Sequence, residues 1–179
     1  INAVIAKIIP PLCKNFRILH QTGNANGSED FKNLSHIKNS LEAELQNNYQ
    51  VFEHLKPSSI GTILNNSFLV IGRAGANTVN EILIVGVPAI LIPLPWAGQN
   101  EQEKNALLLK SIGLGEIILQ SELTPELLLF KIKEMQNNIK IYQRSLPRRQ
   151  AGKLKSKEIF SESAAEKIVQ LIEEFCPTV

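Results

Sequence analysis

A short apolar run, Phe68 to Ile71, passes through Gly72-Arg73-Ala74-Gly75 into Ala76-Asn77-Thr78 and, three residues on, Glu81. Strand, glycine-bearing turn and helix start in that order make an anion holder. The first amides of a helix lack an internal acceptor, and the macrodipole adds positive potential at the same place. An anion such as a phosphate is therefore the natural partner of the helix's opening amides, at Ala76, Asn77 and Thr78. Gly72 and Gly75 permit the tight turn. Arg73 stands beside it, where a guanidinium either pairs with a diphosphate or points to solvent from the strand end.

The elements that must position this turn follow from periodicity. Strands are expected at Phe16–Gln21, Tyr49–Glu53, Phe68–Gly72, Pro88–Ile92 and Glu116–Leu119, with helical stretches between them, which predicts a Rossmann-like α/β fold with a parallel sheet and flanking helices. Leu34, Ile37, Leu41 and Leu45 form a helical stripe over Asn33–Leu45; Leu127, Leu128 and Ile132 do the same over Thr124–Met135, where Pro125 takes the first helical position after a cap. Pro10-Pro11 is expected to break or bend the helix over Ile1–Leu12, and Gly23–Asp30 to form a polar loop. A last amphipathic helix is expected from Ser163. Doubly wound domains usually start with a strand, whereas this chain starts with a helix, so residues 1–179 are expected to be a single domain cut from a longer protein.

Composition bounds the function. With 44% hydrophobic and 20% charged residues over 179 positions, the chain can bury a real core, and a net charge of +2 gives no electrostatic case for nucleic acid. Cys13 and Cys176 lack metal-type spacing and suit a reducing compartment better than a disulfide framework. No apolar run nears the roughly 20 residues of a bilayer span. These features point to a cytosolic protein, able at most to touch a membrane surface; the basic residues Arg144, Arg148, Arg149, Lys153, Lys155 and Lys157 either meet anionic headgroups or form a solvated connection.

Four segments together, His20-Gln21-Thr22-Gly23, Gly72–Glu81 (GRAGANTVNE), Gly86–Pro95 (GVPAILIPLP) and the helix with Gln102 and Asn105-Ala106, resemble the C-terminal half of the MurG family. Members of that family are bacterial N-acetylglucosaminyltransferases that convert lipid I to lipid II in peptidoglycan synthesis. The resemblance runs in order over nearly the whole chain. It implies the donor-binding half of a GT-B enzyme, in which two Rossmann-like domains face a cleft, and it implies that the family's glycine-rich loop and first strand belong just ahead of Ile1, with the acceptor domain before them.

By this resemblance the donor's phosphates meet the Ala74–Thr78 turn and Glu81 accepts hydrogen bonds from the two ribose hydroxyls. Thr78-x-x-Glu81 also has the spacing of a capping box, in which Glu81 only satisfies an amide. Gln102 and Asn105 face one way on their helix and address sugar hydroxyls, unless they are an ordinary solvated face. Glu101 stands where the family has Gln or His. The backbone at Glu53 and His54 would read uracil, and Trp96 lies either beside the sugar or against the sheet edge. His20 is expected to pack at a strand end, His36 on a solvated face.

The expected reaction is transfer of N-acetylglucosamine from UDP-N-acetylglucosamine to the lipid-linked muramyl pentapeptide, with inversion at the anomeric carbon. The general base is expected in the acceptor domain, no cofactor is implied, and no metal is needed, because no paired acidic motif adjoins the turn and fixed amide dipoles can stabilise the departing diphosphate. The implied partners are the donor, lipid I through the other domain and, peripherally, the inner face of the cell membrane. A nucleotide-sugar epimerase, a glycolipid glycosyltransferase, and a non-catalytic donor-binding subunit of a split transferase are the alternatives.

Overall fold

The structure, a computed structural model, describes residues 1–24 and 29–145. In chain order the elements are α1 (Asn2–Cys13), β1 (Ile18–Gln21), α2 (Asp30–Ser40), α3 (Ala43–Gln46), β2 (Tyr49–Phe52), α4 (Pro57–Asn66), β3 (Val70–Gly72), α5 (Ala76–Val85), β4 (Ala89–Leu91), α6 (Glu101–Ser111), β5 (Gly115–Ile117) and α7 (Pro125–Ser145), with single 3-10 turns at Gly98–Asn100 and Gln120–Glu122. The expected α/β alternation is present, and each expected strand contains or overlaps an observed one. The basic residues from Arg148 onward, Cys176 and the helix expected from Ser163 lie outside the described residues.

All strand pairing is parallel, but it forms two ladders in place of one continuous sheet. Ile18 pairs with Tyr49 in the first; Val70 with Ala89, and Ala89 with Gly115, in the second. The order is β1-β2 and β3-β4-β5. Just ahead of β1 and β3, the rings of Phe16 and Phe68 stack at 5.6 Å and 9°. One core underlies both ladders: Ile9, Tyr49, Ile90, Ile92 and Ile118 belong to a single cluster, with Ile18, Val51 and Ile71 against it. The opposite face of β4 turns Ala89 and Leu91 into a second cluster with Val79, Ile82 and Leu83 of α5 and Ala106 and Leu109 of α6. A strand buried on both faces is apolar throughout, which explains why Ala89–Ile92 shows no alternation.

Packing overrules the proline signal in α1. The helix runs through Pro10 and Pro11 to Cys13. Both prolines are exposed, while Ile5, Ile8, Ile9, Leu12 and Cys13 are buried. Roughly 1.5–3 kcal/mol for each large apolar side chain outweighs about 3 kcal/mol for each proline. Asn48 Nδ2 donates to the Cys13 carbonyl at 2.9 Å and so satisfies a helix-end acceptor across to the start of β2. The stripe over Asn33–Leu45 is likewise two pieces: α2 stops at Ser40, whose hydroxyl donates to Ile37 O, and Leu41 is extended (φ −67°, ψ 154°). Ser and Asn compete for the backbone in this way and end helices that an apolar stripe alone would extend.

Two further local choices fix the site's surroundings. Gly86 closes α5 in the left-handed region (φ 71°), its N–H donating to Ile82 O at 2.8 Å. A Cβ on Gly115 would stand 2.9 Å from Leu109 Cβ, so α6 rests directly on β5. At α7 the Leu127 N–H donates to Thr124 Oγ1 at 3.1 Å, which is the expected cap ahead of Pro125.

Candidate functional site

The C-terminal ends of β3 and β4 open into the turn 73–75 and the loop 92–100, and the N-termini of α5 and α6 stand beside them. Helix α5 starts at Ala76 with Gly75 as its cap residue (φ −65°, ψ 150°) and carries no side-chain cap. Its first amides are therefore available to an anion. Gly72 and Gly75 turn out not to need positive φ; a Cβ on either would meet nothing within 4 Å. What the glycines supply is open space above the turn.

Because the helix begins two residues before Thr78, Thr78 is the third helical residue and cannot serve as the cap of a box with Glu81. Thr78 is half-buried; Asn77 and Glu81 are exposed, with Glu81 one turn further along α5. The Glu81 carboxylate is thus presented to solvent beside the open amides.

Gln102 and Asn105 are both half-buried and both anchored. Asn105 Nδ2 donates to Ala74 O at 3.1 Å, stapling α6 to the turn. The Leu94 N–H donates to Gln102 Oε1 at 3.0 Å. Each amide has one end committed to backbone. Gln102 retains its NH₂ and Asn105 its carbonyl oxygen for a ligand. The solvated-face alternative does not describe them. Glu101 and Glu103 lie exposed in the first turn of α6, where carboxylates suit the macrodipole.

Arg73 spends its guanidinium on protein acceptors. Nη1 donates to Ile92 O at 3.0 Å and Pro93 O at 3.3 Å, and Nη2 to Gln120 Oε1 at 2.6 Å. Partial burial lowers its pKa. The side chain does not point to solvent, and both Nη1 hydrogens are committed to carbonyls. Glu53, at the end of β2, is on the other ladder; its carbonyl accepts from the Gly23 N–H at 3.0 Å, and the Leu55 N–H is held by Gln21 Oε1 at 3.0 Å. The Asn105 and Gln102 anchors thus tie α6 to the turn that opens α5 and to the loop after β4, and Glu53 lies beside Gly23 of the HQTG segment. Trp96 is 72% exposed, which rules out packing on the sheet edge.

Several participants escaped the sequence reading. Gln99 (φ 53°) and Asn100 (φ 56°) are successive left-handed residues leading into α6. Side chains other than glycine pay for that conformation, and it concentrates at sites where loops are held in one shape. A cavity of about 330 Å³ beside this loop is lined by Pro93, Leu94, Asn100, Glu103, Gln120 and Ser121. Only the neighbouring proline-rich sequence marked this loop as special. No group of three or more metal-ligating side chains occurs among the described residues, and none of the described helices is long and apolar enough to cross a membrane.

His20 is buried within the fold. Its Nδ1 meets Tyr49 Oη at 2.9 Å and its Nε2 meets Asn2 Oδ1 at 3.1 Å, while Asn2 Nδ2 donates to Thr22 O and Asp30 Oδ2. With both Asn2 amide hydrogens so used, Asn2 Oδ1 accepts, which places the His20 proton on Nε2 and makes Tyr49 the donor to Nδ1. Burial above all pulls the imidazole pKa down to about 4. Burial likewise raises the pKa of the Cys13 thiol, leaving it unreactive.

Residues 1–167 match the glycosyltransferase family 28 C-terminal domain. A curated UDP-N-acetylglucosamine--N-acetylmuramyl-(pentapeptide) pyrophosphoryl-undecaprenol N-acetylglucosamine transferase from Prochlorococcus marinus subsp. pastoris is 36% identical over 127 residues, covering 69% of this chain and 31% of the relative. The enzyme of the same description from Thermodesulfovibrio yellowstonii is 37% identical over 134 residues, covering 73% and 33%. The chain thus spans about a third of the length of these relatives. Among solved structures, Acinetobacter baumannii MurG superposes with a TM-score of 0.65 at 27% identity, over 96% of this chain and 46% of that one. The kitacinnamycin glycosyltransferase, 18% identical with a TM-score of 0.66 over 96% of this chain and 38% of its own, shares the fold.

Proposed function

The chain belongs to the glycosyltransferase family 28 C-terminal domain family, and from that membership we propose that it binds the UDP-N-acetylglucosamine donor of an enzyme that glycosylates lipid I to lipid II. The observation that carries this reading is the uncapped start of α5, with Glu81 exposed beside it and the anchored amides of Gln102 and Asn105 across the turn. The diphosphate lies on the amides of Ala76 to Thr78, the ribose diol on the Glu81 carboxylate, and the sugar toward Gln102 and Asn105. As the bond from anomeric carbon to phosphate breaks, fixed amide dipoles stabilise the charge gathering on UDP. An acceptor domain provides the general base, the acceptor hydroxyl attacks with inversion, and contact with the membrane is peripheral on its cytoplasmic side.

We place a strand between β1 and β3. Two parallel ladders over one core, with Phe16 and Phe68 stacked ahead of their unshared edges, support that position. On this reading the 179-residue chain alone should bind donor weakly and not turn it over.

Calorimetric titration with UDP-N-acetylglucosamine, UDP-glucose and UDP tests the assignment. Binding that prefers UDP-N-acetylglucosamine and falls about 10–100-fold in Glu81→Ala is expected for a charged acceptor of two hydroxyls. Equal affinity of the variant would remove Glu81 from the site.

A further inference from the structure

We propose that Arg73 is a positioning residue that sets the direction of the Gln102 amide, rather than a ligand of the diphosphate; the inference rests on the donor reading above. The carbonyl of Pro93 and the N–H of Leu94 belong to one planar peptide group. Arg73 Nη1 donates to that carbonyl at 3.3 Å, and the N–H of the same group donates to Gln102 Oε1 at 3.0 Å. A second bond from Nη1 to Ile92 O and the bond from Nη2 to Gln120 Oε1 hold the guanidinium between the loops that follow β4 and β5. Turning the peptide plane would break the Arg73 contact at one end and the Gln102 contact at the other. A cationic donor on the carbonyl also polarises the amide and strengthens its N–H as a donor.

The consequence is a fixed polarity at the sugar position. With Oε1 committed, Gln102 offers only N–H donors, so the ligand group it meets must accept: a hydroxyl lone pair or an amide oxygen. Both Nη1 hydrogens are already spent, so the end-on fork with which arginine grips a phosphate is unavailable. Arg73 therefore governs what the sugar gains over the bare nucleotide.

The test compares UDP with UDP-N-acetylglucosamine by calorimetry for the chain, Arg73→Met, Arg73→Lys, Gln102→Ala and the Arg73→Met/Gln102→Ala pair, with thermal unfolding of each. Expected for Arg73→Met is UDP affinity within about twofold of the parent and UDP-N-acetylglucosamine affinity down about tenfold, the scale of one hydrogen bond. Arg73→Lys recovers part of that loss, and the pair is no worse than Gln102→Ala alone. A parallel loss for both ligands would make Arg73 a phosphate contact; a loss that adds to that of Gln102→Ala, or none, would also overturn the inference. Should Arg73→Met fail to fold, Gln120→Ala removes one arm of the same clamp and should shift only the UDP-N-acetylglucosamine affinity. If the parent chain binds neither ligand, it is the donor reading that fails.

Discussion

On the β1–β2 side, Tyr49, His20, Asn2 and Asp30 satisfy one another in a part-buried chain, and Gln21 and Asn48 each commit one end of the side-chain amide to a backbone group. On the β3–β5 side, Gln102 and Asn105 each commit one end to the backbone and leave the other open, and α5 starts with no side-chain cap. GRAGANTVNE stood out in the sequence as an anion-binding turn, whereas HQTG entered only through the family resemblance. Half-committed amides and uncapped helix starts occur on both sides, so neither declares a site alone; on the β3–β5 side they meet at one turn, where Asn105 is anchored to Ala74 two residues ahead of α5. In the first ladder the His20 network knits α1, α2, β1 and β2 together.

The largest test of this contrast is acid. The His20 pKa is about 4 in the fold against an ordinary 6.5, so the unfolded chain takes up a proton that the folded chain refuses between those values. Stability is complete above about pH 6.5 and is lost as the pH falls toward 4, by roughly 3 kcal/mol from this group. Urea unfolding at pH 7 and pH 4 measures it; a flat profile would mean that the network is not closed. Next in size, Tyr49→Phe leaves His20 Nδ1 without its donor and should cost about 1–2 kcal/mol by denaturation midpoint. Glu81→Ala, by contrast, should lower donor affinity yet move that midpoint by less than about 0.5 kcal/mol, as expected of an exposed residue. A modest effect lies in the loop before α6, where Gln99→Gly relieves a left-handed side chain and should add about 0.5–1 kcal/mol, read as a rise in melting temperature. A fall would show that the Gln99 side chain holds the loop.

Much of this was legible in sequence because it is local. The five strands and the Thr124-Pro125 start depend on residues within a few positions of one another. Readings that failed depended on distant partners. Pro10-Pro11 looked like a break because the sequence does not show that Ile5, Ile8, Ile9 and Leu12 press onto the shared core. Arg73 could not be placed between a diphosphate and solvent because its acceptors, at Ile92, Pro93 and Gln120, lie 19 to 47 positions away. The division into two ladders is invisible to periodicity, which identifies strands and not their neighbours. The assembled group from Ala76 to Asn105 could be named from the family resemblance, but the orientation of its amides required the carbonyl of Ala74 and the N–H of Leu94.

Gly115 gives this arrangement a mechanical dimension. Its bare Cα lets α6 sit where Leu109 Cβ would be only 2.9 Å from an added methyl, with Leu109 and Lys110 backbone atoms at 3.2 and 3.3 Å. The obstacle is helix, not the tip of a flexible side chain, so any larger residue must lift α6 as a lever. Gln102 lies seven residues up that lever, about 10 Å at 1.5 Å per residue. A single added carbon on β5 would thus tilt the two amides together, and their orientation can drift during descent through a position that touches neither.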